Sequence, residues 1–283
     1  MSEQKNPIGI MQGRLSPPMG GRIQSFPVDT WREEFPRARE AGLACIEWVY
    51  EVDHEEANPL ASEVGVVAIR EAAQRSGVAV WSVCADYYMK EPLVEADGAP
   101  RPYAADHLRG LLRRAALLGV RYLVLPCVDE SSLRSVAALQ GLQAVLATVL
   151  PQARQAGVEL HLETDLKPEV LARFLREVSH PQLRANYDIG NSASLGYDPD
   201  EELALLAPWL GSVHVKDRVL GGGTVPLGTG AANFAVCFRR FRQHHYAGPF
   251  ILQAARVIGP SETALAIRNR QFVLDQIAAA ESG

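Results

Sequence analysis

The chain has few cysteines, no cluster of positive charge and no long apolar run, and each shortage narrows what it can be. Its four cysteines stand far apart and form no Cys-X-X-Cys pair, which predicts buried free thiols. No run of Lys and Arg is long enough to follow a nucleic-acid backbone, and the formal net charge is -5. We therefore expect no nucleic-acid partner.

Two further absences concern membranes and export. No apolar segment looks long enough to cross a bilayer, so we expect no membrane partner. The first seven residues lack the apolar core of a secretion signal. These absences predict a cytoplasmic location.

What is present is an ordinary globular composition, with 47% hydrophobic and 22% charged residues among 283. Length alone would suggest about two domains. However, α/β barrels of this size commonly form one domain, and no linker is visible along the chain. We expect a single domain over residues 1–283.

A short pattern recurs along the chain, in which a helical segment ends at a glycine and an apolar strand follows at once. It occurs at Gly42, Gly77, Gly119 and Gly157. Glycine suits the left-handed backbone position after a helix, and continuous apolar strands suit a parallel sheet covered on both faces. The repeat length is that of one βα unit.

Extending this pattern predicts eight strands that alternate with eight helices. The predicted strands are residues 8–12, 45–49, 79–83, 122–125, 160–163, 183–188, 211–215 and 249–253. The predicted helices start at Thr30 (with Glu33 completing a capping box and Pro36 interrupting the helix), lie within 59–76 and 104–118, run near 141–156 and over 168–178, open at Asp198, run near 233–245 and cover 261–279. This alternation favours a closed (β/α)₈ TIM barrel. An open doubly wound sheet is the alternative, but the glycine fingerprint of a dinucleotide turn is missing after the first strand.

In such barrels the active site lies at the carboxyl ends of the strands. Three successive strands end in Glu163, Asp188 and His214. Carboxylate oxygens with one imidazole suit Mn²⁺, Mg²⁺, Co²⁺ or Zn²⁺, and the sequence does not choose among them. His161, in the middle of its strand, fits a hydrogen-bonded core histidine better than a ligand.

Several nearby polar residues are candidate substrate contacts. Glu47 belongs to the second strand and Asn191 follows the sixth, and both could meet a substrate hydroxyl, although an exposed glutamate near a strand end is also common. The glycine-rich loop 221–230 could bind phosphate through its amides, assisted by Arg218 and Arg256, with Arg14 as an alternative anion holder. The same loop could equally be a mobile surface turn.

Three short motifs in this order carry a family resemblance: His161-Leu-Glu163, Tyr187-Asp188-Ile-Gly-Asn191 and His214-Val-Lys216-Asp217. Over nearly its whole length the chain resembles the xylose isomerase-like TIM-barrel superfamily, in its sugar phosphate isomerase/epimerase group. The resemblance implies one divalent metal, held by Glu163, Asp188, His214 and the residue at the end of the eighth strand. It also implies a small-molecule sugar or sugar phosphate as substrate, and a homodimer or homotetramer.

The end of the eighth strand departs from that family. Many ketose epimerases of the group have glutamate there, whereas this chain has Gln253. An amide oxygen can still bind a hard metal, but an amide cannot transfer a proton in a two-base epimerisation. This favours one-base isomerisation, unless Asp165, Lys216 or Glu47 replaces the missing acid.

The mechanism predicted from the resemblance has Glu163 as the base and Lys216 beside the metal as a stabiliser of an enediolate. Two alternatives use the same residues differently. One is a dehydratase or lyase that acts on a keto-sugar or keto-inositol. The other is a non-catalytic sugar-binding barrel, suggested by the loss of glutamate at the eighth strand. The apurinic endonuclease branch of the superfamily fits poorly, because this chain offers few histidines at strand ends.

Overall fold

The computed structural model describes residues 6–282, and its central feature is a closed barrel of eight parallel strands. The ten strands of the described chain are β1 (Ile8–Met11), β2 (Cys45–Val49), β3 (Ala79–Cys84), β4 (Tyr122–Cys127), β5 (Glu159–Thr164), β6 (Leu183–Asp188), β7 (Leu210–Val215), β8 (Asp217–Arg218), β9 (Thr224–Val225) and β10 (Phe250–Leu252). The barrel order is β1-β10-β7-β6-β5-β4-β3-β2, while β8 and β9 form a separate antiparallel hairpin. The predicted (β/α)₈ barrel is confirmed.

Helices follow the strands and cover the barrel. They are α1 (Glu34–Glu40), α2 (Glu63–Ser76), α3 (Tyr87–Lys90), α4 (Ala104–Leu118), α5 (Val136–Ala156), α6 (Pro168–Val178), α7 (Ile189–Leu195), α8 (Pro199–Leu206), α9 (Phe234–Gln243) and α10 (Glu262–Ser282). The bounds predicted for α4 and α6 are correct. The short helices α3 and α7 and the β8–β9 hairpin were not predicted, because they are insertions outside the repeating pattern of helix, glycine and barrel strand.

The four glycines of the repeat adopt the left-handed conformation that the sequence predicts. Their φ angles are +70° at Gly42, +74° at Gly77, +87° at Gly119 and +67° at Gly157. A residue with a β-carbon is strained at such an angle. These glycines therefore end the helices and return the chain to the barrel.

The predicted start of the first helix at Thr30 is wrong. The α-helix begins at Glu34, and the Thr30 hydroxyl donates to Ser16 Oγ at 2.8 Å. Pro36 lies in the first turn of this helix, where its missing N–H would have no partner within the helix. Pro36 is therefore part of the helix start and does not interrupt the helix.

Helix α5 corrects two expectations. It begins at Val136, five residues before the predicted start, because the Ser135 side chain accepts from Ala138 N–H and caps it. By length and composition alone it could also cross a membrane, although no such run was expected from the sequence. Its apolar face includes Leu142, Leu146 and Val149, which are buried in the protein. The core helix of a globular barrel has this pattern too.

The junction of β6, α7 and α8 is held by a buried carboxyl group, Glu202. Tyr187 Oη donates to Glu202 Oε2 at 2.9 Å, and the Ser192 hydroxyl donates to the same oxygen. Burial raises the pKa of Glu202 to about 7. Because Tyr187 directly precedes Asp188 in β6, this network supports the strand end that carries a candidate ligand.

This carboxyl group predicts a pH dependence of stability. The pKa of Glu202 is higher in the folded chain than the ordinary value of about 4.3. The contribution of its protonated form to the free energy of unfolding is therefore complete below about pH 4.3 and is lost as the pH rises through about 7. The free energy of unfolding of Glu202→Gln minus that of the wild type should therefore be larger at pH 8 than at pH 5, by on the order of 1 to 3 kcal/mol. Urea unfolding at several pH values measures the difference. Parallel stability profiles of the two proteins would show that Glu202 does not titrate in this range.

Candidate functional site

Glu163, Asp188 and His214 converge at the carboxyl end of the barrel, as the sequence predicts. They lie on the neighbouring strands β5, β6 and β7, and their potential ligand atoms all lie within 4.8 Å of one another. His214 Nδ1 is 3.4 Å from Glu163 Oε2 and 3.9 Å from Asp188 Oδ2. All three side chains are buried, and together they could hold a metal ion.

Local structure orients the Asp188 carboxylate. Asp188 is the last residue of β6 and pairs with His214 across the strands. It is also the N-cap of α7, where its Oδ1 accepts from Asn191 N–H at 2.8 Å. This leaves Oδ2 facing the imidazole of His214.

A carboxylate behind His214 fixes the orientation of the imidazole ring. Glu47 Oε1 lies 2.7 Å from His214 Nε2, and Ser82 Oγ donates to Glu47 Oε2 at 2.6 Å. When the neutral ring donates its Nε2–H to Glu47, its Nδ1 lone pair is available to a metal ion at the cluster; Asn186 Nδ2 lies 3.2 Å from this nitrogen. This carboxylate–histidine arrangement is common behind protein metal ligands.

The charges around His214 also fit a cation. Burial lowers the pKa of this imidazole, but the Glu47 and Glu163 carboxylates outweigh burial and hold the pKa well above its usual range. A cluster that attracts a proton this strongly attracts a metal cation for the same reason.

Gln253 offers a fourth candidate donor atom. It directly follows β10, and its Nε2 donates to Gln24 Oε1 at 2.9 Å. Within residues 6–282 its Oε1 is buried and has no hydrogen-bond partner. A buried carbonyl oxygen without a donor is costly unless a ligand satisfies it. Two carboxylates, one imidazole and this amide oxygen fit a divalent ion such as Mn²⁺, Mg²⁺, Co²⁺ or Zn²⁺.

Three other predicted residues lie beside this cluster. Asn191 Nδ2 donates to Glu163 Oε1 at 2.8 Å, and Asn191 Oδ1 accepts from Arg218 Nη1 at 2.9 Å. Lys216 Nζ lies 3.3 Å from Asp188 Oδ2. The structure thus places Asn191, Lys216 and Arg218 at the site.

The structure does not bring Glu47 and Arg256 to the predicted substrate contacts. Glu47 is fully buried beneath His214. Arg256 donates to the carbonyls of Gly13 at 2.6 Å and Ser16 at 2.9 Å, and it thereby fastens the loop after β1 to the end of β10. Both side chains therefore support neighbouring protein groups.

The glycine-rich loop 221–230 is also bound internally. The N–H groups of Gly228 and Gly230 donate to Asp217 Oδ2 at 2.9 and 2.8 Å, and Ala232 N–H donates to Asp217 Oδ1 at 3.1 Å. A carboxylate of the chain therefore occupies amides that the sequence suggested for phosphate.

Two of the candidate ligands, Glu163 and Gln253, line a cavity of about 640 Å³. Its lining includes Glu163, Asn191, Lys216, Arg218 and Gln253, together with residues to which the sequence assigned no site role or only an alternative one: Arg14, Gln24, Glu51, Asp86 and Asp165. Asp86 and Arg14 follow strands, so their position was a usable signal. Gln24 lies within a long loop, where no pattern could have placed it.

Arg14 stands out as a buried cation with open donors. Its Nη2 lies 3.4 Å from Gln24 Oε1, while Nε and Nη1 have no partner in the part of the chain that the structure describes. Burial, together with the neighbouring Arg256, lowers the pKa of Arg14 to about 9. A buried guanidinium with free N–H groups is suited to an anionic or oxygen-rich ligand.

Two structural expectations are confirmed. His161 is a core residue: its ring nitrogens lie 2.8 Å from Ser212 Oγ and 2.9 Å from Glu159 Oε2, and the ring stacks on Tyr122. The four cysteines are free and buried.

Comparison with known proteins gives one family match. Residues 35–272 match the family model described as xylose isomerase-like TIM barrel. The chain is also 26% identical over 264 residues to an L-ribulose-5-phosphate 3-epimerase of Shigella flexneri, a match that covers 89% of this chain and 88% of the relative.

Solved structures share the fold over almost the full chain. A structure of L-ribulose 3-epimerase has a TM-score of 0.75 and 18% identity, with 98% of this chain and 96% of the other covered. A xylose isomerase-like TIM-barrel protein from Mycobacterium smegmatis, in complex with magnesium, has a TM-score of 0.67 and 19% identity, with 97% of each chain covered. At such identities these structures support the fold alone.

Proposed function

We propose that this chain acts on a ketose or ketose phosphate through an enediolate. It belongs to the xylose isomerase-like TIM-barrel family, and the relatives it matches are sugar epimerases. It is therefore a sugar isomerase or epimerase. The observation that carries this proposal is the convergence of Glu163, Asp188 and His214, of which Glu163 also lines the cavity. Glu163 is the proposed base, and one divalent metal is the proposed cofactor.

The residues that would hold the metal are Glu163, Asp188, His214 and Gln253 through its free Oε1. When bound, the ion would supply positive charge that polarises the substrate carbonyl and an adjacent hydroxyl.

Glu163 is positioned to take a proton from the carbon next to the carbonyl. Its Oε1 is held by Asn191, which is itself held by Arg218, while Oε2 faces His214. Such a fixed carboxylate at the cavity wall can act as a general base without reorientation. Asn191 and Arg218 are therefore positioning residues for Glu163, although both line the cavity and could also meet the substrate.

Positive side chains face the oxygen atoms that gain charge in an enediolate. Lys216 lines the cavity beside Asp188, and Arg14 lines it with unsatisfied N–H groups. Preorganised donors of this kind stabilise a developing oxyanion. The same cations would also favour a phosphorylated substrate over a neutral sugar, and the Shigella flexneri relative is named for a ketose phosphate.

A panel of ketopentoses, ketohexoses, their phosphates and a keto-inositol in D₂O tests this function. With Mn²⁺, Mg²⁺, Co²⁺ or Zn²⁺, we expect one class to gain deuterium at the carbon next to the carbonyl and to form an epimer or aldose, as followed by NMR. Faster exchange with the phosphates would identify the class. An unsaturated product from a keto-inositol would instead assign the lyase alternative. A protein that exchanges no member with any of the four ions would contradict the proposed function.

The predicted homodimer or homotetramer and the cytoplasmic location stay predictions. Light scattering of the purified protein measures the first, and cell fractionation measures the second.

A further inference from the structure

We propose that Asp86 is a second proton-transferring group, which faces Glu163 across the bound sugar and makes the enzyme an epimerase. This inference rests on the proposed function. Inversion at a carbon next to a carbonyl needs one group to remove a proton from one face and another to deliver a proton to the opposite face. Gln253 cannot be that second group, because an amide does not transfer protons near neutral pH.

The barrel order places Asp86 on a strand apart from those of the candidate ligands. Glu163, Asp188, His214 and Gln253 lie at the ends of β5, β6, β7 and β10, which are consecutive in the barrel. Asp86 follows β3, which lies four strands from β7, the strand of His214, and two strands from β5, the strand of Glu163. Both Asp86 and Glu163 line the same cavity. A sugar carbon between these two carboxylates can therefore present one face to Glu163 and the other to Asp86.

A chain of amides orients the Asp86 carboxylate. Gln253 Nε2 donates to Gln24 Oε1 at 2.9 Å, and Gln24 Nε2 donates to Asp86 Oδ2 at 2.6 Å. Because Gln253 occupies the Gln24 oxygen, the Gln24 amino group must turn toward Asp86. Cys84 Sγ donates to the other carboxylate oxygen at 3.1 Å. Gln253, at the end of the eighth barrel strand, thus positions the Asp86 carboxylate through Gln24.

The electrostatic surroundings of Asp86 suit proton transfer. Burial raises its pKa to about 6, the hydrogen bonds from Gln24 and Cys84 oppose that rise, and the charges of Glu163 and Glu51 add to it. The positive charge of Arg14 also lies nearby. A carboxyl group that titrates near neutrality can both give and take a proton during turnover.

Three other acidic groups near the site are engaged by neighbouring protein groups. Glu47 is sealed beneath His214. Asp165 lies two residues after Glu163, on the side of the cavity that Glu163 already serves, and accepts from Ser132 Oγ at 2.6 Å. Glu51 accepts from Ser25 Oγ at 2.6 Å and from Phe26 N–H at 2.7 Å, and it thereby holds the loop after β1.

The proton balance is simple. Glu163 removes a proton from one face of the carbon, and the electron pair of the C–H bond forms the enediolate. Protonated Asp86 then delivers its proton to the opposite face, which forms the new C–H bond. Glu163 is left protonated and Asp86 ionised, and exchange with water restores both. The reverse reaction uses the same groups in exchanged roles.

Asp86→Asn tests this assignment with the substrate pair found in the panel. Epimer formation should fall by about 10² to 10⁴-fold. In D₂O, the variant should still exchange the proton of the epimer that Glu163 deprotonates, while the other epimer should not exchange. Glu163→Gln should show the reverse pattern. This reciprocal loss is the signature of two bases on two faces.

Controls separate a catalytic role from damage to the site. Asp97→Asn removes an exposed carboxylate outside the cavity and should keep exchange from both epimers. Metal content and thermal midpoint of Asp86→Asn should match the wild type, because Asp86 contacts none of the candidate ligands directly.

Each remaining outcome decides between the two proposals. Exchange of both epimers by Asp86→Asn, or equal loss of both with metal retained, would overturn the role of Asp86 and leave the proposed function standing. Absence of exchange in the wild type would contradict the proposed function itself.

Discussion

Replacement of His214 by alanine should leave the purified protein without its divalent metal. The imidazole supplies one donor of the cluster, and its Nδ1 lies 3.4 Å from Glu163 Oε2. Removing it leaves two buried carboxylates with only an amide oxygen as a further donor. Metal analysis by plasma mass spectrometry should find about one ion per wild-type chain and close to none in the variant, with activity lost in parallel.

Two matched variants make this prediction sharper. Glu47→Gln keeps the shape behind the imidazole but removes the charge at 2.7 Å from Nε2, so metal affinity should fall by about 10 to 100-fold without complete loss. His180→Ala removes a histidine outside the cavity and should retain full metal content. A His214→Ala protein that keeps its metal would show that the ion binds at another site.

Glu163→Gln should reduce turnover by about 10³ to 10⁴-fold. The amide has almost the same size and keeps an oxygen toward His214, so the fold should persist and some metal should remain. It cannot, however, accept a proton from carbon. Steady-state kinetics with the substrate found in the panel measure the loss, and metal analysis of the same sample separates loss of the base from loss of the ion.

Glu159→Gln is the control on the same strand. Glu159 lies at the other end of β5, where it pairs with His161 and lies away from the cavity. Its replacement should keep turnover within about twofold. Turnover by Glu163→Gln at the wild-type level, with metal bound, would show that another group is the base.

The sequence by itself determined the barrel and the main cluster. Glycines after helices and apolar strands are local signals, and they predicted the eight barrel strands and most helices. Because parallel strands of a barrel all end at one rim, polar residues at successive strand ends must meet. Glu163, Asp188 and His214 follow from that rule without knowledge of any distance.

Local signals were weaker where a side chain has a distant partner. A capping box at Thr30 looks favourable in sequence, but its hydroxyl is bonded to Ser16, and the helix begins later at Glu34. Similarly, Arg256 follows the last barrel strand as an anion-binding residue would, yet its donors are taken by carbonyls of the loop after β1.

Only the tertiary structure decided which residues contact the candidate ligands through hydrogen bonds and which residues share their cavity. Glu47 meets His214 over a separation of 167 residues, and Gln24 meets Gln253 over 229. Such pairs leave no periodic trace, because closure of the barrel brings together strands that are remote in the chain. The sequence therefore determined the fold and the candidate ligands, whereas the partners of His214 and Gln253, and with them the position of Asp86, were set by how the barrel closes.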